Sequence, residues 1–285
     1  MIKELFANGR QTLSFEVFPP KKEEDFDNAY AVLDQLAALS PDFISVTYGA
    51  GGSKSKKTVE IASYIQNTLQ LPALAHMTCV GSKTSDILQV IKELETHGIS
   101  HVLALRGDRP TWMDDAQYES RDFAHASDLT RFLKENTVLE IAGACYPEKH
   151  YEAPNPDTDL RHLKEKADAG ADFLITQLFF DNDSFYRFME LKEQAGILLP
   201  VCAGIMPITS AKQLGTTVTL SGSSVPKELA DLIATYGEKP EEMRKAGIDY
   251  AVRQILDLKA HGADGIHIYS MNKPKTTREI VEAIR

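Results

Sequence analysis

The sequence predicts a single-domain (β/α)8 TIM barrel. Three observations carry this: eight short apolar segments rich in β-branched residues, amphipathic stretches of helical periodicity between them, and no GxGxxG turn after the first. Apolar strands alternating with helices make a parallel sheet covered on both faces, and eight such units suffice to close a barrel. The rival, an open doubly wound sheet, lacks its usual dinucleotide fingerprint here.

The first strand is Leu13 to Val17, followed by a helix over Phe26 to Leu39. Phe43 to Tyr48 is the second strand, with a helix over Val59 to Leu69, and Leu74 to Thr78 the third, with a helix over Ile87 to His97. The fourth and fifth strands are His101 to Arg106 and Ile141 to Tyr146, the latter leading to a helix over Leu160 to Ala169. Phe173 to Gln177 and the helix Phe185 to Ala195 make the sixth unit, and Val201 to Ile205 is the seventh strand. The interval before the last strand, Gly265 to Tyr269, is about twice the others, so it holds an extra helix near Pro226 to Tyr236 ahead of Arg244 to His261. Glycines at Gly98, Gly170, Gly196 and Gly262 supply the left-handed residue that stops a helix.

The 285 residues are 43% hydrophobic and 25% charged, with no Ser/Gly/Pro-rich linker, so one core is expected. A formal charge of -10 excludes a general nucleic-acid or anionic-membrane role, while a local basic pocket stays open. Met1 to Arg10 has no apolar core of signal-peptide length, and no uncharged apolar run approaches the roughly 18 residues of a membrane span; a cytoplasmic protein is expected. Cys79, Cys145 and Cys202 stand far apart in apolar, strand-like segments and are expected as buried thiols. The eight histidines lack metal-ligand spacing, and no metal is expected.

Active sites of β/α barrels lie at the C-terminal ends of the strands. Here those ends carry Glu16, Thr47, His76, Arg106 with Asp108, Tyr146, Gln177 and Tyr269, while the seventh strand ends in a Gly204-Ile205-Met206-Pro207 turn. Any one of these side chains reads equally well as a cap or a barrel-layer residue. Polar groups at seven of eight ends read better as a site. The rim holds too few acids for a two-carboxylate hydrolase and no Ser/His/Asp or Cys/His set. Arg106 and Lys166 suit a diphosphate, and Thr47, His76, Tyr146 and Gln177 suit a flat heterocycle. Residue chemistry by itself reaches a barrel enzyme acting on a polar, cofactor-sized ligand.

Six strings add more. They begin with Ser14-Phe15-Glu16-Val17-Phe18-Pro19-Pro20-Lys21, Ser45-Val46-Thr47-Tyr48-Gly49-Ala50 and Ala104-Leu105-Arg106-Gly107-Asp108. Then come Tyr146-Pro147-Glu148-Lys149-His150, the run from Ala169 to Asp181 around Ile175-Thr176-Gln177-Leu178-Phe179, and Ile268-Tyr269-Ser270-Met271-Asn272. In order and spacing they resemble the methylenetetrahydrofolate reductase family over nearly the whole chain, in its shorter bacterial form. The resemblance implies tightly but noncovalently bound FAD, reduced by NADH or NADPH, which in a ping-pong cycle reduces 5,10-methylenetetrahydrofolate to 5-methyltetrahydrofolate for methionine synthesis. It implies that Glu16 is the general acid that opens the folate's imidazolidine ring and that Asp108 is the acid between flavin and folate. Gln177 is implied to contact both alternating substrates, with Gln213, Tyr269 and Lys273 as further substrate contacts. Around FAD it implies Thr47, His76, Leu105, Arg106, Gly107, Asp108, His125, Ala126, Ala144, Tyr146, His150, Asp159, His162 and Lys166. It also implies a homo-oligomer, often a tetramer.

Four positions depart from common family residues. Glu165 stands where some bacterial members carry Arg, His125 where Tyr commonly precedes the Ala, Thr217 where some use Phe, and Lys273 where Arg is common. They bear on FAD affinity and on the nicotinamide and polyglutamate contacts. Two other readings compete. A flavin barrel of the proline dehydrogenase type would need a basic clamp for its substrate carboxylate and would leave the Glu16 string without a role. A barrel reduced to a binding protein would have no use for Glu16, Asp108 and Gln177.

Overall fold

A computed structural model describes residues 1–48 and 54–285; Gly49 and Ala50 of the second string lie outside the described residues. Eight parallel strands close into a barrel in sequence order, with the last hydrogen-bonded to the first. They are β1 (Thr12–Val17), β2 (Phe43–Val46), β3 (Ala73–Thr78), β4 (His101–Leu105), β5 (Glu140–Cys145), β6 (Phe173–Thr176), β7 (Val201–Ile205) and β8 (Gly265–Tyr269). The helices are α1 (Phe26–Ala37), α2 (Lys54–Ser63), α3 (Thr84–Thr96), α4 (Asp115–Glu119), α5 (Ala126–Asn136) and α6 (Pro156–Asp168). They continue with α7 (Asn182–Gln194), α8 (Ala211–Ser221), α9 (Lys227–Tyr236), α10 (Pro240–Ala260) and α11 (Pro274–Ile284). The expected barrel and the helix before the last strand are both present.

The strands alternate sides, so each contributes to two cores. Outward residues such as Phe15, Val17, Ile44, Val46, Val102 and Ala104 pack against the apolar stripes of the helices, including Leu33, Leu36, Ile61, Leu94 and Ile280. Inward residues Phe43, Leu74, Leu103, Ala142, Phe173 and Ile175 fill the lower barrel, where the Phe43 and Phe173 rings meet edge to face at 6.0 Å. The N-terminal 3-10 helix Ile2–Gly9 closes this end: Ile2 is fully buried, and the Lys3 amide donates to Glu140 Oε1 at 2.5 Å. The barrel interior is thus sealed below and opens at the other mouth.

An aspartate immediately before β2, β6 and β8 holds the sealed end. The carboxylates of Asp42, Asp172 and Asp264 accept from the amides of Leu13, Ile141 and Val201 at 2.8, 3.0 and 2.8 Å. Strand N–H groups that would otherwise end unpaired are satisfied there. At the helix stops Gly98, Gly170, Gly196 and Gly262 adopt φ of +69°, +111°, +70° and +77°, the left-handed conformation expected of them.

The seventh strand has its expected bounds, Val201–Ile205, so Gly204 and Ile205 of the expected turn are its last two residues, paired with His267 and Ile268 of β8. Two elements differ from the sequence expectations. Helix α8 was not expected, because its β-branched Thr and Val residues and Gly215 give it low intrinsic propensity; Ser210 caps it through the Gln213 amide, and Gly222 ends it at φ +71°. Cys79 lies just beyond β3 rather than in a strand, yet all three thiols are buried, and burial raises each one's pKa. Among the described residues no helix is long and apolar enough to cross a membrane.

Two buried histidines predict how the fold responds to acid. Burial lowers both His76 and His101 from 6.5 to about 4, so each is neutral when folded and readily protonated when unfolded. Their contribution is complete above pH 6.5 and is lost as pH falls through about 4, on the order of 2–4 kcal/mol apiece. Glu140, raised by burial, works in the opposite direction on acidification. Urea unfolding at pH 7.5, 5.5 and 4.5 should therefore show falling stability, with a shallower fall in His101→Gln. A flat profile would remove this account.

Candidate active site

The open mouth holds a cavity of about 530 Å³ lined by the C-terminal ends of the strands, the loops after β4 and β5, and one face of α6. Glu16, the last inward residue of β1, projects into it. Register places Glu16 beside Ser45 of β2 and Tyr269 of β8. Its Oε2 lies 3.6 Å from His76 Nε2 and 3.8 Å from His267 Nε2. His267 is fully buried, with Ser14 Oγ 2.7 Å from Nδ1 and Ser45 Oγ 3.4 Å from Nε2. The carboxyl therefore lies between two imidazoles, one fixed from below by two serines.

The chain around Glu16 is fastened from behind. The Ser270 hydroxyl donates to the Glu16 carbonyl at 2.6 Å, and Asn272 accepts from the Phe18 amide at 3.1 Å while donating to its carbonyl at 2.9 Å. Met271 and Asn272 make this clasp by adopting φ of +51° and +52°, which asparagine tolerates better than most residues. Tyr269 crosses the barrel to donate its hydroxyl to the Thr176 carbonyl at 2.7 Å, and burial pushes its pKa well up, so it stays a donor. Gln177 lines the same wall, its Oε1 accepting from the Leu178 amide at 2.9 Å.

After β4, Gly107 turns at φ +83°, and a Cβ there would lie 3.0 Å from that of Thr78. This sharp turn sets Arg106 and Asp108 on the cavity wall. Arg106 donates from Nε to the Gly107 carbonyl at 3.1 Å, and its NH1 and NH2 pair with both oxygens of Glu152 at 2.5 and 2.9 Å. The guanidinium holds the Glu152 carboxyl down to about 2. Helix α6 turns Asp159, His162 and Lys166 toward the same space, one or two turns apart on one face. Lys166 is buried, which lowers its pKa, and it donates to the Ala144 carbonyl; its stem runs where a Cβ on residue 143 would stand, 2.8 Å from Lys166 Cδ. His125, at the start of α5, stacks on His162 at 6.0 Å, and Tyr146 meets His150 edge-on at 4.8 Å.

Nearly all the expected positions converge. Glu16, Thr47, His76, Leu105, Arg106, Gly107, Asp108, His125, Ala126, Ala144, Tyr146, His150, Asp159, His162, Lys166, Gln177 and Tyr269 all line the cavity, as does Glu165. Gln213 and Lys273 do not line it. They meet each other at Thr209, whose amide and hydroxyl donate to Gln213 Oε1 at 3.0 Å and whose hydroxyl lies 3.4 Å from Lys273 Nζ. Thr217 is buried on α8. Sequence reasoning missed His267 and Glu152. Strand alternation from Tyr269 gives a signal for His267, two residues earlier on the same face, whereas Glu152 sits in an irregular loop without a period.

The sequence model of the methylenetetrahydrofolate reductase family matches residues 1–285. The chain belongs to the methylenetetrahydrofolate reductase family. Its similarity to family members extends over nearly its whole length: it is 32% identical to the 5,10-methylenetetrahydrofolate reductase of Escherichia coli (strain K12) over 98% of this chain and 92% of that protein. It is 35% identical to methylenetetrahydrofolate reductase (NADH) 1 of Arabidopsis thaliana over 96% of this chain, where it spans only 48% of the plant protein. The fold recurs in an uncharacterized Clostridium thermocellum protein that binds two copies of 5-methyl-5,6,7,8-tetrahydrofolic acid, with TM-score 0.67 at 14% identity over 100% of this chain and 98% of that one. It recurs also in a Xanthomonas albilineans dihydropteroate synthase, with TM-score 0.54 at 16% identity over 96% and 91%.

Proposed function

We propose that the whole chain is one flavin-binding catalytic unit that reduces 5,10-methylenetetrahydrofolate to 5-methyltetrahydrofolate with NADH or NADPH in a ping-pong cycle, supplying methyl groups for methionine synthesis. The observation that carries this reading is Glu16, a mouth carboxyl lying between His76 and His267 in a chain of this family. We place it in the cytoplasm as a homo-oligomer with small-molecule substrates and no nucleic-acid or membrane partner.

The mouth fits FAD. His76 Nε2 is buried with no hydrogen-bond partner, Gly107 brings bare backbone to the wall, and Arg106 presents a guanidinium suited to a phosphate. Thr47, His76, Leu105, Gly107, Ala144 and Tyr146 would hold the ring system. Arg106, His125, Ala126, His150, Asp159, His162 and Lys166 would hold the rest. When bound, FAD supplies a two-electron carrier that takes a hydride from the nicotinamide and gives one to the folate methylene carbon.

The protein's own part is proton and charge management. Glu16 donates the proton that opens the imidazolidine ring, turning the methylene carbon into an electrophilic iminium. His76, kept neutral at pH 7 by burial, offers that carboxyl an uncharged neighbour, while Ser14 and Ser45 fix the orientation of His267. Asp108 stabilises the iminium cation, and Gln177 and Tyr269 line the wall against which the two substrates alternate.

The protein should purify yellow and release FAD on heating or acidification. A colourless protein that takes up no added FAD, and that oxidises neither nucleotide when given the folate, would defeat the reading; a proline-dependent flavin reduction would favour the alternative barrel enzyme. Asp108→Asn should raise the potential of the bound flavin and slow the folate half-reaction by roughly 10- to 100-fold more than the nicotinamide one. Reductive titration and rapid mixing measure both. Unchanged potential with wild-type folate turnover would remove Asp108 from its role.

A further inference from the structure

Arg106 has a partner already. Among the described residues lining the cavity the lysines and arginines are Arg106 and Lys166, and Lys166 points its ammonium at the Ala144 carbonyl. Arg106 is thus the group with a fork of N–H donors to offer a phosphate. That fork is taken, because NH1 and NH2 both donate to Glu152 and Nε donates to Gly107. The two partners differ in solvation. The Arg106 side chain is 16% exposed and Glu152 43%, so the carboxylate can leave into water while the guanidinium stays in the wall.

The segment carrying Glu152 is built as a unit. Lys149 adopts φ +137°, a conformation unusual for a residue with a side chain, and folds its ammonium back on the Ala153 carbonyl at 2.9 Å. The Glu152 amide donates to His150 Nδ1 at 3.1 Å, and the exposed Tyr151 hydroxyl donates to Glu152 Oε1 at 3.0 Å. Among the described residues, the hydrogen-bond partners of the Glu152 carboxylate are Arg106 and Tyr151. A phosphate presents the same planar pair of oxygens to a guanidinium, and the two anions repel each other if both remain.

We propose that Glu152 is a displaceable counter-ion that occupies Arg106 until the phosphate of a diphosphate-bearing ligand takes its place. Glu152 then acts as a latch that lowers affinity for that ligand and keeps Arg106 paired without it. This rests on the reading of the cavity as a site for FAD, and it concerns only the phosphate end of that ligand.

The test uses the full chain and its Glu152→Gln variant. Dilution of each flavin-loaded protein, followed by the fluorescence of released FAD, gives its affinity; calorimetric titration of the flavin-freed chains with inorganic pyrophosphate isolates the anion position. Glu152→Gln should bind both on the order of tenfold more tightly, and riboflavin, which lacks a phosphate, with unchanged affinity. It should also melt lower than wild type without ligand and gain more from pyrophosphate, because Arg106 has lost its partner. Equal pyrophosphate affinity in the two proteins would overturn the latch, and so would weaker binding by the variant, which would make Glu152 a positioning residue for Arg106. If neither protein binds FAD while pyrophosphate follows the expected pattern, the latch stands and the flavin reading falls. Tyr151→Phe, which loosens Glu152 without touching Arg106, should shift pyrophosphate affinity two- to threefold the same way, and a shift in the opposite sense counts against the proposal even where Glu152→Gln does not fold.

Discussion

Glu16→Gln is expected to take up flavin and undergo its reduction by NAD(P)H at a near-normal rate while losing folate reduction by about 10² to 10⁴, the range for a missing general acid. The separation follows from position. Glu16 ends β1 at the cavity, with His76 and His267 at 3.6 and 3.8 Å, and its backbone is pinned by Ser270 rather than by its own side chain. Glutamine keeps the size and a hydrogen-bonding oxygen, so the pinned strand and the two imidazoles have no reason to move. It cannot give up a carboxylic proton. Only the half-reaction that opens the folate ring needs that proton, and hydride transfer from a nicotinamide does not. Rapid mixing of each half-reaction checks this directly. Equal losses in both halves would make Glu16 a structural or flavin-binding residue, and an undiminished folate step would remove it from the mechanism.

Much of this site was legible because a barrel converts a one-dimensional feature into a place. A polar residue at the end of an apolar β-branched run must face the C-terminal mouth, so Glu16, His76 and Tyr269 were found by position, and the family strings added the loop residues between them. Helix starts were less legible. Apolar periodicity began α6 at Leu160 and α10 at Arg244, whereas they begin at Pro156 and Pro240. Their first turns are polar, and the signal there is a cap or a proline rather than a period: Asn155 accepts from the Thr158 amide at 2.9 Å ahead of α6. Glu152 was illegible for a related reason. A charge in an aperiodic loop reads as solvated until its partner is known, and its partner Arg106 is 46 residues away.

Gly204 lies in β7, within the expected bounds of the seventh strand, and its place there leads to the largest expected effect on the fold of the site. A Cβ on Gly204 would lie 2.5 Å from the Thr176 carbonyl oxygen and 2.8 and 2.9 Å from Cε2 and the hydroxyl of Tyr269. Those groups are bonded to each other, since the Tyr269 hydroxyl donates to that carbonyl, and the Gly204 amide donates to Thr176 Oγ1 at 2.8 Å. The bare Cα is what lets Tyr269 lie across β7 to reach β6. Gly204→Ala must therefore push the ring aside and open the β6–β7 contact. Overpacking costs about 1–3 kcal/mol and the stranded buried hydroxyl another 1–3, so a loss of roughly 2–6 kcal/mol is expected. In a chain of this size that lowers the melting temperature by about 10 °C. Tyr269→Leu made in the same chain removes the ring clash but leaves the backbone one, so the double variant should be more stable than the sum of the two single losses predicts, yet still below Tyr269→Leu alone. Thermal unfolding of the four proteins decides it, and strict additivity would show that Gly204 and Tyr269 do not share this space.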